Sequence, residues 1–209
     1  MITRLLHNAL LAALLVLPSV GAAKDNLDKY HEEIIELSID DNLAGPELPR
    51  RIVNLAKGSM AQLANNMSKA GFHTDLSERE GLVLMVTVPA SELFAPNDSL
   101  LLSSASKTLM EIARPLRTPD KYKMLVAVHS DDTGSEEYLN MLTRLRADAI
   151  VEWIAGQGIP TAAVIPYGVG FDEPLGTEAS REARAANRRV EFYYVPGPVM
   201  IEQLKAGRQ

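Results

Sequence analysis

The chain has 209 residues, 46% of them apolar and 23% charged, with a formal net charge of −6. That composition is globular and excludes a disordered or fibrous chain, and the acidic balance argues against nucleic acid as a partner. With no Cys there is no disulfide, thiolate metal site, thiol nucleophile or lipid-modified N-terminal Cys. The four His (His7, His31, His73, His129) never fall at the i, i+4 spacing of a helical zinc site, so neither a metal nor a cofactor is expected.

Arg4 precedes an apolar run from Leu5 to Leu17 broken only by His7 and Asn8, and the small residues Gly21 and Ala23 follow Pro18 at cleavage spacing. This pattern predicts a cleavable export signal over residues 1–23. The run is shorter than the roughly 20 residues of a membrane-spanning helix, and no later segment is apolar enough. The mature chain is therefore expected to be exported with no transmembrane span, and loss of Arg4 takes its net charge from −6 to −7.

Residues 24–49 are charged and without period. Asp40, Asp41, Asn42, Gly45 and Pro46 supply loop chemistry after a short apolar patch at Ile34, Ile35 and Leu37, which predicts a linker with one short element. Val53, Ala56, Met60, Leu63, Met67 and Ala70 then recur at alternating steps of three and four, an amphipathic helix with coiled-coil spacing. Its stripe either packs on the protein's own sheet or joins a homodimer through residues 50–70. It is shorter than the three or four heptads of a sustained coiled coil, which favours the former.

Phe72–Ser77 and Leu82–Val88 flank Glu78–Gly81 as a hairpin closed by Pro89. Residues 99–117 read as a helix bent by Pro115. A strand over 122–128, a helix over 135–155, a strand over 163–168, a short Ala- and Arg-rich helix ending near Asn187 and a strand over 188–195 complete the pattern. Arg181, Arg184 and Arg188 are spaced for one helical face, where solvated charge is the expected reading. The alternation predicts an α+β fold, a two-layer α/β sandwich with helices on one face of a small mixed sheet, preceded by an N-terminal helix and hairpin strand. The expected organisation is signal 1–23, linker 24–49, extension 50–80, principal domain 81–196 and tail 197–209.

The informative stretch is VHSDDTGSEEYLNMLTRLRA, residues 128–147, where a polar cluster meets the junction of a buried strand and a helix. Backbone N–H groups at a helix start attract anions, and Asp131 and Asp132 precede that start with Thr133 and Glu136 at capping-box spacing. At 100° per residue, Tyr138, Leu142, Leu145, Ala149 and Trp153 share a face with Leu139 and Ile150 at its edge, and Arg146 is the one charge among them. A guanidinium there needs a partner. Two remain open: an internal ion pair with Asp131 that only fixes the loop, or an anionic ligand.

V-H-S-D-D-T-G-S from Val128, Tyr138, L-T-R-L-R-A from Leu142 and N-R-R-V-E from Asn187 together resemble the OmpA-like peptidoglycan-binding domain, shared by OmpA, the peptidoglycan-associated lipoprotein and MotB. The family pattern is G-H-T-D-x-x-G-S, Y-N, L-S-x-x-R-A and N-R-R-V. The resemblance runs from about Leu82 to Val195 and implies a βαβαββ-type sandwich. It departs from the pattern at Val128, Ser130, Leu139 and Ala183.

The resemblance implies a periplasmic protein, associated with the outer membrane or free, that binds the diaminopimelate of peptidoglycan stem peptides without catalysis. Asp131 and Arg146 fall on the family's ligand clamp. His129 and Thr133 shape the loop, Asn97 in LFAPND matches a polar position near the ligand, and Asn187 and Arg188 match loop-fixing or wall positions. The alternative is an envelope scaffold or protein-interaction module that has lost wall binding. A hydrolase is not expected: His129, Ser130 and Asp131 are strand neighbours whose side chains alternate, so they cannot form a relay.

Overall fold

The computed structural model describes residues 20–176 and 180–207. Helices α1 (Val20–Glu36), α2 (Ile39–Ala44) and α3 (Arg50–Lys69) lead into strands β1 (His73–Asp75) and β2 (Leu84–Pro89). Next come α4 (Ala90–Leu93), α5 (Ala105–Ala113), β3 (Tyr122–His129), α6 (Glu136–Gly156) and β4 (Val164–Gly170). The chain continues through α7 (Arg181–Asn187), β5 (Arg189–Pro196) and α8 (Pro198–Lys205).

The five strands form one sheet in the order β1-β2-β5-β3-β4, antiparallel except for β3 and β4. A parallel pair needs a crossover, and α6 supplies it. All eight residues of β3 are buried because both sheet faces are covered. Met124, Val126 and Val128 meet the main core with Val190, Phe192 and Tyr194 of β5, under Leu109 and Ile112 of α5 and Ile150 and Ile154 of α6. Gly168 of β4 lets α6 approach closely, since a Cβ there would lie 2.4 Å from the Arg144 backbone nitrogen.

The α3 stripe packs inward, through Ile52, Ala56, Met60, Leu63, Ala64 and Met67, against β1, β2 and α8. This is the own-sheet alternative, and it leaves that stripe unavailable for a homodimer through residues 50–70. The expected C-terminal tail contains α8, which starts at Pro198 and buries Met200, Ile201 and Leu204. The export signal expected over residues 1–23 lies outside the described residues up to position 19, and residues 20–23 open α1. Among the described residues no helix is long and apolar enough to cross a membrane.

A further correction concerns residues 24–49. In place of a linker with one short element, α1 and α2 lie on the second sheet face, where Ile34 and Leu43 pack on Leu125, Ile165 and Val195. The segment looks patternless in sequence because much of its docking is polar. Buried Asn42 donates to Ile34 O (2.7 Å) and Tyr167 Oη (2.8 Å) and accepts from Lys123 Nζ (2.9 Å). His31 Nε2 sits 2.7 Å from Asp120 Oδ1.

Lys123 has no carboxylate partner among the described residues, and burial pushes its amine down to about 8 from an ordinary 10.5. Between those values the unfolded chain binds a proton that the folded chain does not, so stability rises with pH across that window. Below pH 8 the penalty is present in full. Lys123→Met is therefore expected to stabilise the protein by about 1–2 kcal/mol at pH 7, after loss of the Asn42 bond, and to lose that advantage by about pH 10.5. Thermal denaturation at the two pH values checks this.

Candidate functional site

The site forms where β3 ends. Between Val128 and His129 the register of β3 against β4 shifts, Ser130 N donates to Gly170 O (2.7 Å), and Asp131 begins the loop into α6. Asp131 Oδ1 accepts from Thr133 N (2.9 Å), so the acid organises its own turn. The helix is capped by Ser135, whose Oγ accepts from Tyr138 N (3.3 Å), rather than by the expected Thr133 and Glu136 box.

Arg146 is only 5% exposed, as its place in the apolar sector predicts. It does not pair with Asp131. Its Nε donates to Asp98 O (2.7 Å), its Nη2 to Ala95 O (3.1 Å), and the guanidinium lies 5.0 Å from the centroid of the Phe94 ring. Burial lowers its pKa, and the nearby Arg188 cation adds to that, against Tyr138 and Asp98. Guanidinium stays charged regardless. Among the described residues Arg146 has no carboxylate partner and its Nη1 makes no hydrogen bond. The result is a fixed cation held by two carbonyls and an aromatic face.

Of the two alternatives left open for Arg146, the internal ion pair is not formed; Asp131 pairs with Arg188, the C-cap of α7, whose Nη1 donates to Asp131 Oδ2. Burial alone would raise the Asp131 pKa, but the bonds from Arg188 and Thr133 and the Arg188 charge hold it below the usual carboxylate range. Alongside, on the exposed surface, Arg184 makes a two-pronged pair with Asp132 at 2.5 and 3.1 Å. Arg188 thus links Asp131 and Arg146: it pairs with Asp131 and lies near enough to Arg146 to lower its pKa, with the Asp98 carboxylate also close to Arg146.

The other expected residues take several places. Asn97, at φ 55°, makes the turn that brings the Ala95 and Asp98 carbonyls to Arg146. Thr133 is exposed on the loop. Asn187 is buried and its side-chain oxygen accepts from Leu175 N (2.9 Å), holding the chain at that point. His129 requires correction as a ligand residue: it is 1% exposed, with Nε2 3.1 Å from Glu191 Oε2.

The Glu191 carboxylate also accepts from Arg189 (2.6 Å) and Tyr193 (2.5 Å), a buried network on the second sheet face. Leu139 lines a recess of about 230 Å³ with Asp132, Gly134, Glu136, Phe171 and Asp172. Sequence reasoning missed Phe94 and the Ala95 and Asp98 carbonyls; the signal was the LFAPND turn itself, read only for Asn97.

An Arg fork, a buried carboxylate and a helix start meet at the carboxyl end of a central strand, chemistry suited to a small anion or zwitterion. Residues 93–188 match the model of the OmpA family. Strands β2 and β5 lie outside or at the edge of that match yet belong to the same sheet.

The chain is 33% identical over 98 residues to the outer-membrane lipoprotein YfiB of Pseudomonas aeruginosa, covering 47% of this chain and 58% of that protein. It is 32% identical over 102 residues to the peptidoglycan-associated lipoprotein of Legionella pneumophila, 49% of this chain and 58% of the relative. It spans a little over half the length of these curated relatives.

Among solved structures, the cell wall anchor of the T6SS from Pseudomonas aeruginosa matches with a TM-score of 0.55 and 27% identity, over 66% of this chain and 96% of that one. A MotB-like protein from Desulfovibrio vulgaris matches in fold with a TM-score of 0.62 and 22% identity, over 70% of this chain and 98% of that one.

Proposed function

We propose that this protein binds peptidoglycan non-covalently, on the periplasmic side of the envelope, through the free end of a stem-peptide diamino acid. The observation that carries the reading is Arg146, a buried guanidinium with an unengaged Nη1 and no carboxylate partner among the described residues. A ligand carboxylate would supply the missing counter-charge in charge-assisted bonds. Asp131 supplies the negative pole for the amine of the same amino acid. The names of two similar proteins, a peptidoglycan-associated lipoprotein and a cell wall anchor, support this choice of ligand.

A second reading, an envelope scaffold without wall binding, draws on the engagement of both Asp131 oxygens within the chain. Sedimentation with purified sacculi separates the two. The full chain is expected to pellet with sacculi, and a chain that stays in the supernatant supports the scaffold.

A further inference from the structure

The two cations of the site are held very differently. Arg146 is locked by two carbonyls and the Phe94 ring, whereas the Arg188 side chain is 45% exposed and, among the described residues, makes its one side-chain bond to Asp131. Asp131 is the reverse, a carboxylate only 8% exposed in its side chain. A buried carboxylate left without a partner is strongly unfavourable, while an exposed arginine gains little from a single contact. The pair is therefore stable against simple opening but open to exchange with another cation.

We infer that Arg188 is a built-in competitor that occupies the ammonium position on Asp131 in the free protein, so that only a ligand carrying its own amine displaces it. The inference rests on the peptidoglycan reading and adds to it a specificity-determining residue. Arg188 comes from the junction of α7 and β5, and Asp131 from the loop before α6. Exchange keeps Asp131 paired throughout: the arriving ammonium takes Oδ2 and the guanidinium swings toward solvent. A ligand with a carboxylate and no free amine leaves Arg188 in place and gains Arg146 alone.

The test is calorimetric titration of the full chain with two soluble muropeptides, one with the free diaminopimelate amine and one with that amine acetylated. Arg188→Gln is expected to bind the free-amine probe about threefold to fivefold more tightly, since no ion pair has to be exchanged. It is expected to bind the acetylated probe more weakly than wild type, because the uncovered Asp131 repels the ligand carboxylate. Arg188→Lys is expected to restore the wild-type order. Equal weakening for both probes, or no change for either, overturns the exchange while leaving the peptidoglycan reading intact. A wild-type chain that binds neither probe overturns that reading and the exchange with it.

Discussion

Arg146→Met is expected to reduce affinity for a diaminopimelate-containing muropeptide by about 100-fold while leaving the protein folded. Each hydrogen bond to a charged group contributes about 1.5–3 kcal/mol, and a carboxylate held on a guanidinium fork loses at least about 3 kcal/mol when the fork is removed. Methionine keeps the length and apolar stem that pack beside Phe94. The desolvated charge disappears, which favours the fold, and the Ala95 and Asp98 carbonyls lose their donor, which opposes it. These terms leave a net stability change within about 1 kcal/mol. Titration calorimetry reads the affinity and urea denaturation the stability. Wild-type affinity in a folded variant would make Arg146 a structural residue only.

The largest loss of stability is expected for Glu191→Leu, about 3–5 kcal/mol. Glu191 is the one carboxylate that Arg189, His129 and Tyr193 share on the buried second face. Removing it leaves the Arg189 cation buried without a counter-charge, held only by the Asn187 and Glu173 carbonyls. For a chain of this size 1 kcal/mol shifts the melting temperature by about 2–4 °C, so the fall is on the order of 10 °C.

The same carboxylate predicts the acid limb of the stability profile. Burial alone would raise its pKa, but the His129 bond and charge and the Tyr193 and Arg189 bonds bring it down to about 2 from an ordinary 4.5. A depressed carboxylate pKa stabilises the fold above the unfolded value and loses that contribution as pH falls through the folded one. About 3 kcal/mol is therefore lost between pH 4.5 and 2 in the wild type, and the Glu191→Leu variant lacks that loss. Urea melts across that range check it.

The sheet and its main helices are legible in the sequence because their burial is apolar and periodic. Val126 and Val128 of β3, Val190 and Phe192 of β5 and Ile150 and Ile154 of α6 all announce themselves by spacing. The α6 face is less legible. The expected face includes Leu145, which is 48% exposed, whereas the buried one is centred on Leu139, Thr143, Arg146, Ala147 and Ile150. Thr143 misleads an apolar count, since its hydroxyl donates to Leu139 O and accepts from Gly170 N. The same reasoning applies to α1 and α2, docked by Asn42 and Lys123 rather than by an apolar stripe.

At the site, Arg146 was readable as a charge on a buried face, but the partner of Asp131 was not. Arg188 lies 57 residues from Asp131 in the chain. Only the antiparallel register that pairs Val128 with Val190 carries it to the neighbourhood of Ser130 and Asp131. Strand order is a tertiary fact, and the spacing within one helix does not carry it.

The central claim is that the Arg146 site holds a peptidoglycan stem peptide, and the most direct measurement is sedimentation of the full chain with purified sacculi in the presence of increasing soluble diaminopimelate-containing muropeptide. The account predicts that the chain pellets with sacculi and that the muropeptide releases it, with Arg146→Met remaining in the supernatant throughout. Pelleting that the muropeptide does not reverse and that Arg146→Met retains would contradict it.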